Sequence, residues 1–149
     1  MTILDISQFR PAPAARFFVD EDLLGLAKTL AAARKHDVVY PGHPHLPEVP
    51  RETIDEEWIP AVAARGLVAI TRDRHLRTRP RQLELAHAHG LRVFCLTGRK
   101  DMTTWDQLVL VVRMWPQIET KRDQAGPGPW FVGITTAGLV DQPIKPRTS

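Results

Sequence analysis

The chain has 149 residues, 43% hydrophobic and 25% charged, which is enough for one folded domain and too few to predict two. The formal net charge of +3 is too small to identify a partner. No apolar run approaches the roughly 20 residues of a membrane span, and the N-terminus lacks the order of a secretory signal. A single cysteine excludes an intramolecular disulfide and disfavours a structural zinc site. These features predict a cytoplasmic protein with no membrane partner.

The first part of the chain predicts a strand, a helix and a second strand. Residues 1–15 include a Pro- and Ala-rich piece and are expected to form a flexible arm ahead of one domain, residues 16–149. Residues 16–19, "RFFV", are an aromatic and β-branched run that ends at acids, which is typical of a strand. The segment "LLGLAKTLAAAR" has helical spacing, and "HDVVYPG" predicts a strand closed by a Pro-Gly turn.

A proline-rich loop leads to "IDEEWIPAVAARG", which is predicted as a helix that opens on acids and ends before Gly66. Thr53 and Glu56 have the spacing of a capping box, while Pro60 argues against a regular first turn. The next segment, "LVAIT", is apolar on both faces and therefore predicts a central parallel strand.

The second half continues the alternation. "PRQLELAHAHG" has proline at its start and glycine at its end, as helices prefer, and "LRVFCLTG" predicts a fourth strand. "TTWDQLVLVVRMW" predicts a helix that continues past Pro116 with a kink, and "WFVGITTAGLV" predicts a terminal hairpin with Gly138 in its turn. Strands that alternate with helices indicate an α/β fold with a mainly parallel sheet between helices.

Three acids stand where such a sheet would bring them together. Asp20 follows the first strand, Asp73 follows the third, and Asp55 begins the helix that leads into the third. Ligands of open parallel sheets bind outside the carboxyl ends of the strands. Carboxylates without cysteine suit Mg²⁺ or Mn²⁺, and such an ion can activate water against a phosphodiester. The alternative is that Asp20 and Asp55 are helix caps and that Asp73 pairs with Arg72 or Arg74.

The segments "FFVDEDLLGLAKTL" and "DEEWIPAVAARGLVAITRD" resemble compact PIN-like domains, especially VapC-type toxin ribonucleases. In that family, a strand-end aspartate, an acid that opens a mid-chain helix and the aspartate of "TrD" form the metal site. The matching positions are Asp20, Asp55 and Asp73, which the resemblance makes both metal-binding and catalytic. It implies a Rossmann-like fold, a Mg²⁺- or Mn²⁺-dependent endoribonuclease acting on RNA, and a toxin inhibited by a small cognate antitoxin. A homodimer is a further open alternative.

The chain departs from the family pattern at one position and is ambiguous at others. His75 stands where related domains often carry a second acid after the "TrD" aspartate. Other acids adjoin the matched ones, so the ligand in each cluster can be off by one. Glu21, Glu56 and His75 are the additional candidates, and Asp22 and Glu57 are further neighbours. A catalytically inactive PIN-like module that binds protein or RNA is therefore the alternative function.

The arginines after Asp73 form a local basic patch that predicts contact with the RNA backbone. A solvated loop and helix start is the alternative of equal weight. Arg99 and Lys100 are placed to reach RNA from the same strand-end edge, with an exposed turn as the alternative. The candidate RNA-binding residues are Arg74, Arg77, Arg79 and Arg81.

For the cysteine and the tryptophans, the sequence predicts a role in packing rather than in chemistry. Cys95 lies in an apolar strand, which predicts a buried small side chain and no nucleophile. Trp105 and Trp115 are expected in the core or at an interface, and Trp58 is expected to pack beneath the acids.

Overall fold

The computed structural model describes residues 14–147. Most of the predicted arm, residues 1–13, lies outside the described part of the chain. A 3-10 helix, Glu21–Leu23, joins the first strand to the first helix. In chain order the strands and helices are β1 (Phe17–Val19), α1 (Leu24–Ala33), β2 (Val38–Val39), α2 (Asp55–Ala64), β3 (Val68–Thr71), α3 (Pro80–His89), β4 (Arg92–Leu96), α4 (Thr104–Gln124), β5 (Trp130–Thr135) and β6 (Gly138–Gln142).

The strands form one six-stranded sheet in the order β2-β1-β3-β4-β5-β6. All neighbours pair in parallel except β5 and β6, which form the predicted C-terminal hairpin. Phe17 pairs with Val68, so β1 and β3 end side by side, and Thr71 at the end of β3 pairs with Cys95 of β4. The structure confirms the predicted α/β fold with a mainly parallel sheet.

Each face of the sheet is covered by its own hydrophobic core. Successive residues of a strand point to opposite faces, so Phe17 packs on one side and Phe18 on the other. Phe17 contacts Trp115 of α4 at 4.8 Å between ring centroids, and Phe18 contacts Trp58 of α2 at 5.0 Å. This double burial explains why the strands are apolar on both faces.

Helix ends follow the sequence in one case and differ from it in another. Pro80 begins α3, and Gly90 ends it with a φ of 66°, as predicted. The capping box predicted for α2 is wrong. Ile54 is the N-cap, and its apolar side chain provides no hydrogen bond. Thr53 does not cap the helix, and its hydroxyl donates instead to the carbonyl of Pro50 at 2.6 Å.

The long helix α4 continues through Pro116, as predicted, and has a capping box at its start. Thr103 Oγ1 accepts from the backbone N–H of Asp106, whose carboxylate accepts from the N–H of Thr103. Trp115 is buried in the core, whereas Trp105 is 69% exposed, so a core position for Trp105 is wrong. Trp105 lies in the first turn of α4, beside a cavity at the ends of β4 and β5.

Two other expectations concern the described residues as a whole. Cys95 is buried, as predicted, and burial raises the pKa of its thiol to about 11, so the nucleophilic thiolate is disfavoured. Among residues 14–147, none of the helices has the length and apolar character required to cross a membrane.

Candidate active site

Four aspartates gather at the carboxyl ends of β1 and β3. Asp20 follows β1 directly, Asp22 lies in the 3-10 helix, Asp55 is the first residue of α2, and Asp73 follows β3. The charges of Asp22 and Asp55 act on Asp20, and those of Asp73 and Asp55 act on Asp22. The structure therefore brings Asp55 near Asp20 and Asp22, and Asp73 near Asp22, at this edge of the sheet.

The buried hydroxyl of Thr71 links three of these aspartates. Its Oγ1 donates to Asp20 Oδ2 at 3.0 Å and also lies 3.3 Å from Asp22 Oδ2. The same oxygen accepts from the backbone N–H of Asp73 at 3.1 Å. A hydroxyl has only one hydrogen to donate, so the two carboxylates compete for it. Asp22 Oδ2 also accepts from the backbone N–H of Arg72, so it keeps a donor when the Thr71 hydroxyl donates to Asp20.

Burial and the charges of neighbouring aspartates raise the pKa of both Asp20 and Asp22. Burial, and then the charge of Asp22, raises the pKa of Asp20 to about 7. The N–H of Glu21, which donates to Asp20 Oδ1 at 2.7 Å, lowers that pKa only in part. Burial also raises the pKa of Asp22, and the N–H of Arg72, 3.1 Å from Asp22 Oδ2, partly offsets it. This pair would gain from a proton or a cation between its carboxylates.

Asp55 is held by two neutral donors from the α2–α3 layer. Its Oδ1 accepts from the indole N–H of Trp58 at 2.9 Å, and its Oδ2 accepts from the amide of Gln82 at 3.2 Å. Trp58 is buried below this carboxylate, as expected from the sequence. Asp55 thus faces the cluster from a fixed orientation without a counter-charge.

Asp73 is engaged by its own loop. Its Oδ1 accepts from the backbone N–H of His75 at 2.9 Å, and its Oδ2 pairs with Arg79 at 2.6 Å. The expected alternative partners, Arg72 and Arg74, are not the ones used, because the turns after β3 bring Arg79 back over Asp73. The side chain of His75 is exposed.

The donor chemistry of the cluster fits a hard divalent cation, since carboxylate and hydroxyl oxygens are what Mg²⁺ and Mn²⁺ prefer. The arrangement provides two converging carboxylates, Asp20 and Asp22. In the part of the chain described, no set of three or more His, Cys, Asp or Glu is placed to hold a metal ion. A larger ligand set requires Asp55 or Asp73 to exchange its present hydrogen-bond partners for the ion.

The acids next to the matched ones divide clearly. Glu21 points away from the cluster, where its Oε1 accepts from the N–H of Glu52 at 2.7 Å and lies 3.4 Å from Arg51. Glu56 is half-buried and makes no hydrogen bond or ion pair within residues 14–147. Asp22 is the residue that sequence reasoning named only as a neighbour. The run "DED" indicated that acids follow β1, but the 3-10 turn decides which of them lies beside Thr71.

The candidate RNA-binding arginines differ in their availability. Arg79 is paired with Asp73, and Arg77 donates to the carbonyl of Pro143 at 3.1 Å. Arg81 lies 3.7 Å from Glu84, and both side chains are well exposed. Arg74 is exposed and makes no ion pair among the residues described. The patch therefore contains two outward-facing cations and two that also fix the loop.

Comparison with known proteins identifies the fold family. A family model described as a PIN like domain matches residues 15–98. This range runs from the start of β1 to just beyond the end of β4 and contains all four aspartates of the cluster. No curated protein and no solved structure matches the chain. The match covers more than half of the 149 residues, and the chain therefore belongs to the PIN-like domain family, whose fold is generally that of nucleases.

Proposed function

We propose that this protein is a Mg²⁺- or Mn²⁺-dependent endoribonuclease that hydrolyses RNA phosphodiesters at the aspartate cluster. The observation that carries the proposal is the pair Asp20 and Asp22, two carboxylates that share one hydroxyl hydrogen from Thr71. Burial raises the pKa of both acids, and the charges of neighbouring aspartates add to it; a hard cation would offset both effects. The nuclease-type fold of the family supports the same assignment.

The residues of the chain have distinct parts in this proposal. A divalent ion, if bound, would supply positive charge for the phosphate and activate water for attack. Asp20 and Asp22 would hold it, while Thr71 and the N–H groups of Glu21 and Arg72 orient their carboxylates. Asp55 and Asp73 are further acids whose charges act on this pair. Arg74, which faces solvent beside Asp73, contacts the RNA backbone.

The decisive experiment compares cleavage of single-stranded RNA in Mg²⁺ or Mn²⁺ and in EDTA. Wild-type protein should cleave only with the metal. The Asp20→Asn and Asp22→Asn variants should each cleave at least about 100-fold more slowly than wild type. Asp123→Asn is the matched control, because Asp123 is exposed near the end of α4 and pairs with its neighbour Arg122. Undiminished cleavage by Asp22→Asn would contradict the proposal.

The same proposal makes the protein the toxin of a toxin–antitoxin pair, with a small cognate antitoxin as its partner. Its support is the resemblance of the matched segments to VapC-type toxins. Expression alone should slow bacterial growth, and co-expression of the adjacent small gene should restore it. The Asp22→Asn variant should be harmless at the same protein level. Normal growth with ample soluble wild-type protein would contradict the toxin role.

One observation favours a second candidate, an inactive PIN-like module that binds RNA or protein. Asp55 is already held by Trp58 and Gln82, and Asp73 is already paired with Arg79. On this alternative the acids are structural, and RNA binding persists without cleavage in either metal. Titration with Mn²⁺ separates the two functions. The nuclease should bind an ion that the Asp22→Asn variant no longer binds, whereas the inactive module should bind no ion at this site.

A further inference from the structure

A cavity of about 580 Å³ opens on the same edge of the sheet as the aspartates. It lies at the ends of β4 and β5 and is closed on one side by the first turns of α4. Apolar walls, a cation and hydroxyl groups all contribute to its surface. Six of the lining residues are Thr97, Met102, Trp105, Val109, Arg113 and Thr135.

The exposed indole of Trp105 is the most distinctive part of this cavity. Its side chain is 69% exposed, whereas Trp58 and Trp115 are buried in the two cores. The capping box of Thr103 and Asp106 fixes the turn that carries Trp105. A large aromatic face is therefore presented to solvent from a well-anchored helix start.

The charge around the indole favours a polyanion. Arg113 lies on the cavity wall two turns along α4, and neither it nor Lys100 forms an ion pair within the described residues. The carboxylate of Asp106 is occupied by the N–H of Thr103. Arg99 adds a third cation, about 3.7 Å from Asp101, with both side chains about four-fifths exposed. An arginine without an ion-pair partner beside an exposed aromatic face is a combination that single-stranded nucleic acids bind.

The cavity is physically joined to the aspartate cluster. Arg72 donates its backbone N–H to Asp22 and its guanidinium to the carbonyl of Arg99, which lines the cavity. The start of α1 also touches the start of α4, since a Cβ added at Gly25 would lie 3.0 Å from Thr104 Oγ1. Adjacent strands are about 5 Å apart, so the ends of β4 and β5 lie about one and two strand spacings from β3.

We propose that this cavity binds one base of a single-stranded RNA, stacked on Trp105, while a neighbouring phosphodiester lies at the aspartates. The inference rests on the proposed function for its substrate class. A base in a duplex is already stacked on its neighbours, so only an unpaired base can cover the indole. Every base has an aromatic face, and the contact tolerates different sequences. Arg113 provides charge for the phosphate next to the stacked base.

Binding is tested in EDTA, so that cleavage does not interfere, by fluorescence anisotropy of labelled oligoadenylate and oligouridylate. Trp105→Ala should weaken both oligonucleotides about 5- to 100-fold, and Trp105→Phe should restore most of the affinity. Val112→Ala is the matched control, because Val112 is 56% exposed on the same helix but lies outside the cavity. Thermal unfolding of each variant checks that the fold is retained.

Tryptophan emission gives a second readout of the same contact. Because Trp105 is far more exposed than Trp58 and Trp115, oligonucleotide binding should quench mainly its emission. Trp105→Phe should bind RNA without that quenching.

The outcomes of these measurements separate this inference from the proposed function. Trp105→Ala that binds both oligonucleotides like wild type would overturn the inference, as would wild-type protein that binds neither. A Trp105-dependent change of oligomeric state, with RNA affinity unchanged, would assign the indole to a protein interface and also overturn it. Trp105-dependent binding without any metal-dependent cleavage would support the inference and contradict the nuclease proposal alone.

Discussion

The surroundings of Asp20 and Asp22 favour the neutral carboxyl group over the carboxylate. Asp20 is faced by Asp22 and Asp55, and its ionised form is relieved only by the N–H of Glu21 and the Thr71 hydroxyl. In the unfolded chain, an aspartate is solvated and ionises near its ordinary pKa of 3.8. Ionised Asp20 therefore opposes folding unless a cation is present.

The first prediction is that Asp20→Asn stabilises the protein in metal-free buffer, and more so at pH 8 than at pH 5. Because the folded pKa is raised from 3.8 to about 7, the native state binds more protons than the unfolded state between these values. The stability contributed by protonated Asp20 is full below about pH 4 and is lost by about pH 7. The gain at pH 8 is a few kcal/mol at most, on the order of 1.4 kcal/mol per pKa unit.

Urea unfolding at both pH values measures this effect. The pKa of Asp22 is also raised by burial, so the comparison is between variant and wild type at each pH. Asp123→Asn, remote and exposed, is the control. An equal gain in stability at pH 5 and pH 8 would show that Asp20 does not release its proton between them in the folded protein.

A second prediction separates two arginines of one patch. Arg74→Ala should flatten the log–log salt dependence of RNA binding by about 0.7 without changing stability, because each phosphate contact releases counterions. Arg79→Ala should lower the free energy of unfolding, because it leaves the Asp73 carboxylate without its ion-pair partner. Affinity at several salt concentrations and thermal unfolding measure the two effects. Identical behaviour of the two variants would show that the ion pair does not distinguish them.

At the scale of helices, spacing predicted some ends and missed others for a physical reason. The proline and glycine that bound α3 act through their own backbone geometry, so they could be read directly. Thr53 has the spacing of a cap, but its hydroxyl bonds the Pro50 carbonyl, a competing local acceptor that spacing does not reveal. The capping box that forms belongs instead to Thr103 and Asp106.

The third prediction concerns that capping box. Thr103→Ala should lower the free energy of unfolding by about 1 kcal/mol, since it removes the acceptor of the Asp106 N–H. It should also loosen the first turn of α4 and make the Trp105 emission more accessible to iodide. Gln117→Ala is the control, because Gln117 is exposed on the same helix and its side chain makes no hydrogen bond among the residues described. Equal losses in the two variants would rule out a specific capping contribution.

At the scale of the whole molecule, alternation and apolar strands were sufficient to predict the sheet and the edge at which Asp20 and Asp73 follow their strands. The detailed cluster was not predictable in the same way. Whether Glu21 or Asp22 faces Thr71 depends on a three-residue 3-10 helix. The partner of Asp73 depends on how the turns after β3 fold back. Such choices are set by tertiary packing rather than by periodicity.

The fourth prediction is that the chain unfolds as one cooperative unit, although the family match ends at residue 98 and the sheet continues through β5 and β6. Ile118 and Ile59 are fully buried in the cores on opposite faces of the sheet. Ile118→Ala and Ile59→Ala should each destabilise by about 2–5 kcal/mol within a single transition. Far-ultraviolet circular dichroism and tryptophan emission should give coincident curves. Two separated transitions would contradict the single domain, residues 16–149.

The parallel pairing of β1 with β3 determines when the aspartate cluster can form during folding. Asp20 and Thr71 are 51 residues apart in the chain, and they meet only after this long loop has closed. The β5–β6 hairpin, in contrast, joins near neighbours and can form in microseconds. Since non-local parallel pairing is slow, we expect Asp20 and Thr71 to meet late in folding, and the proposed cleavage of RNA would require β3 to be made first.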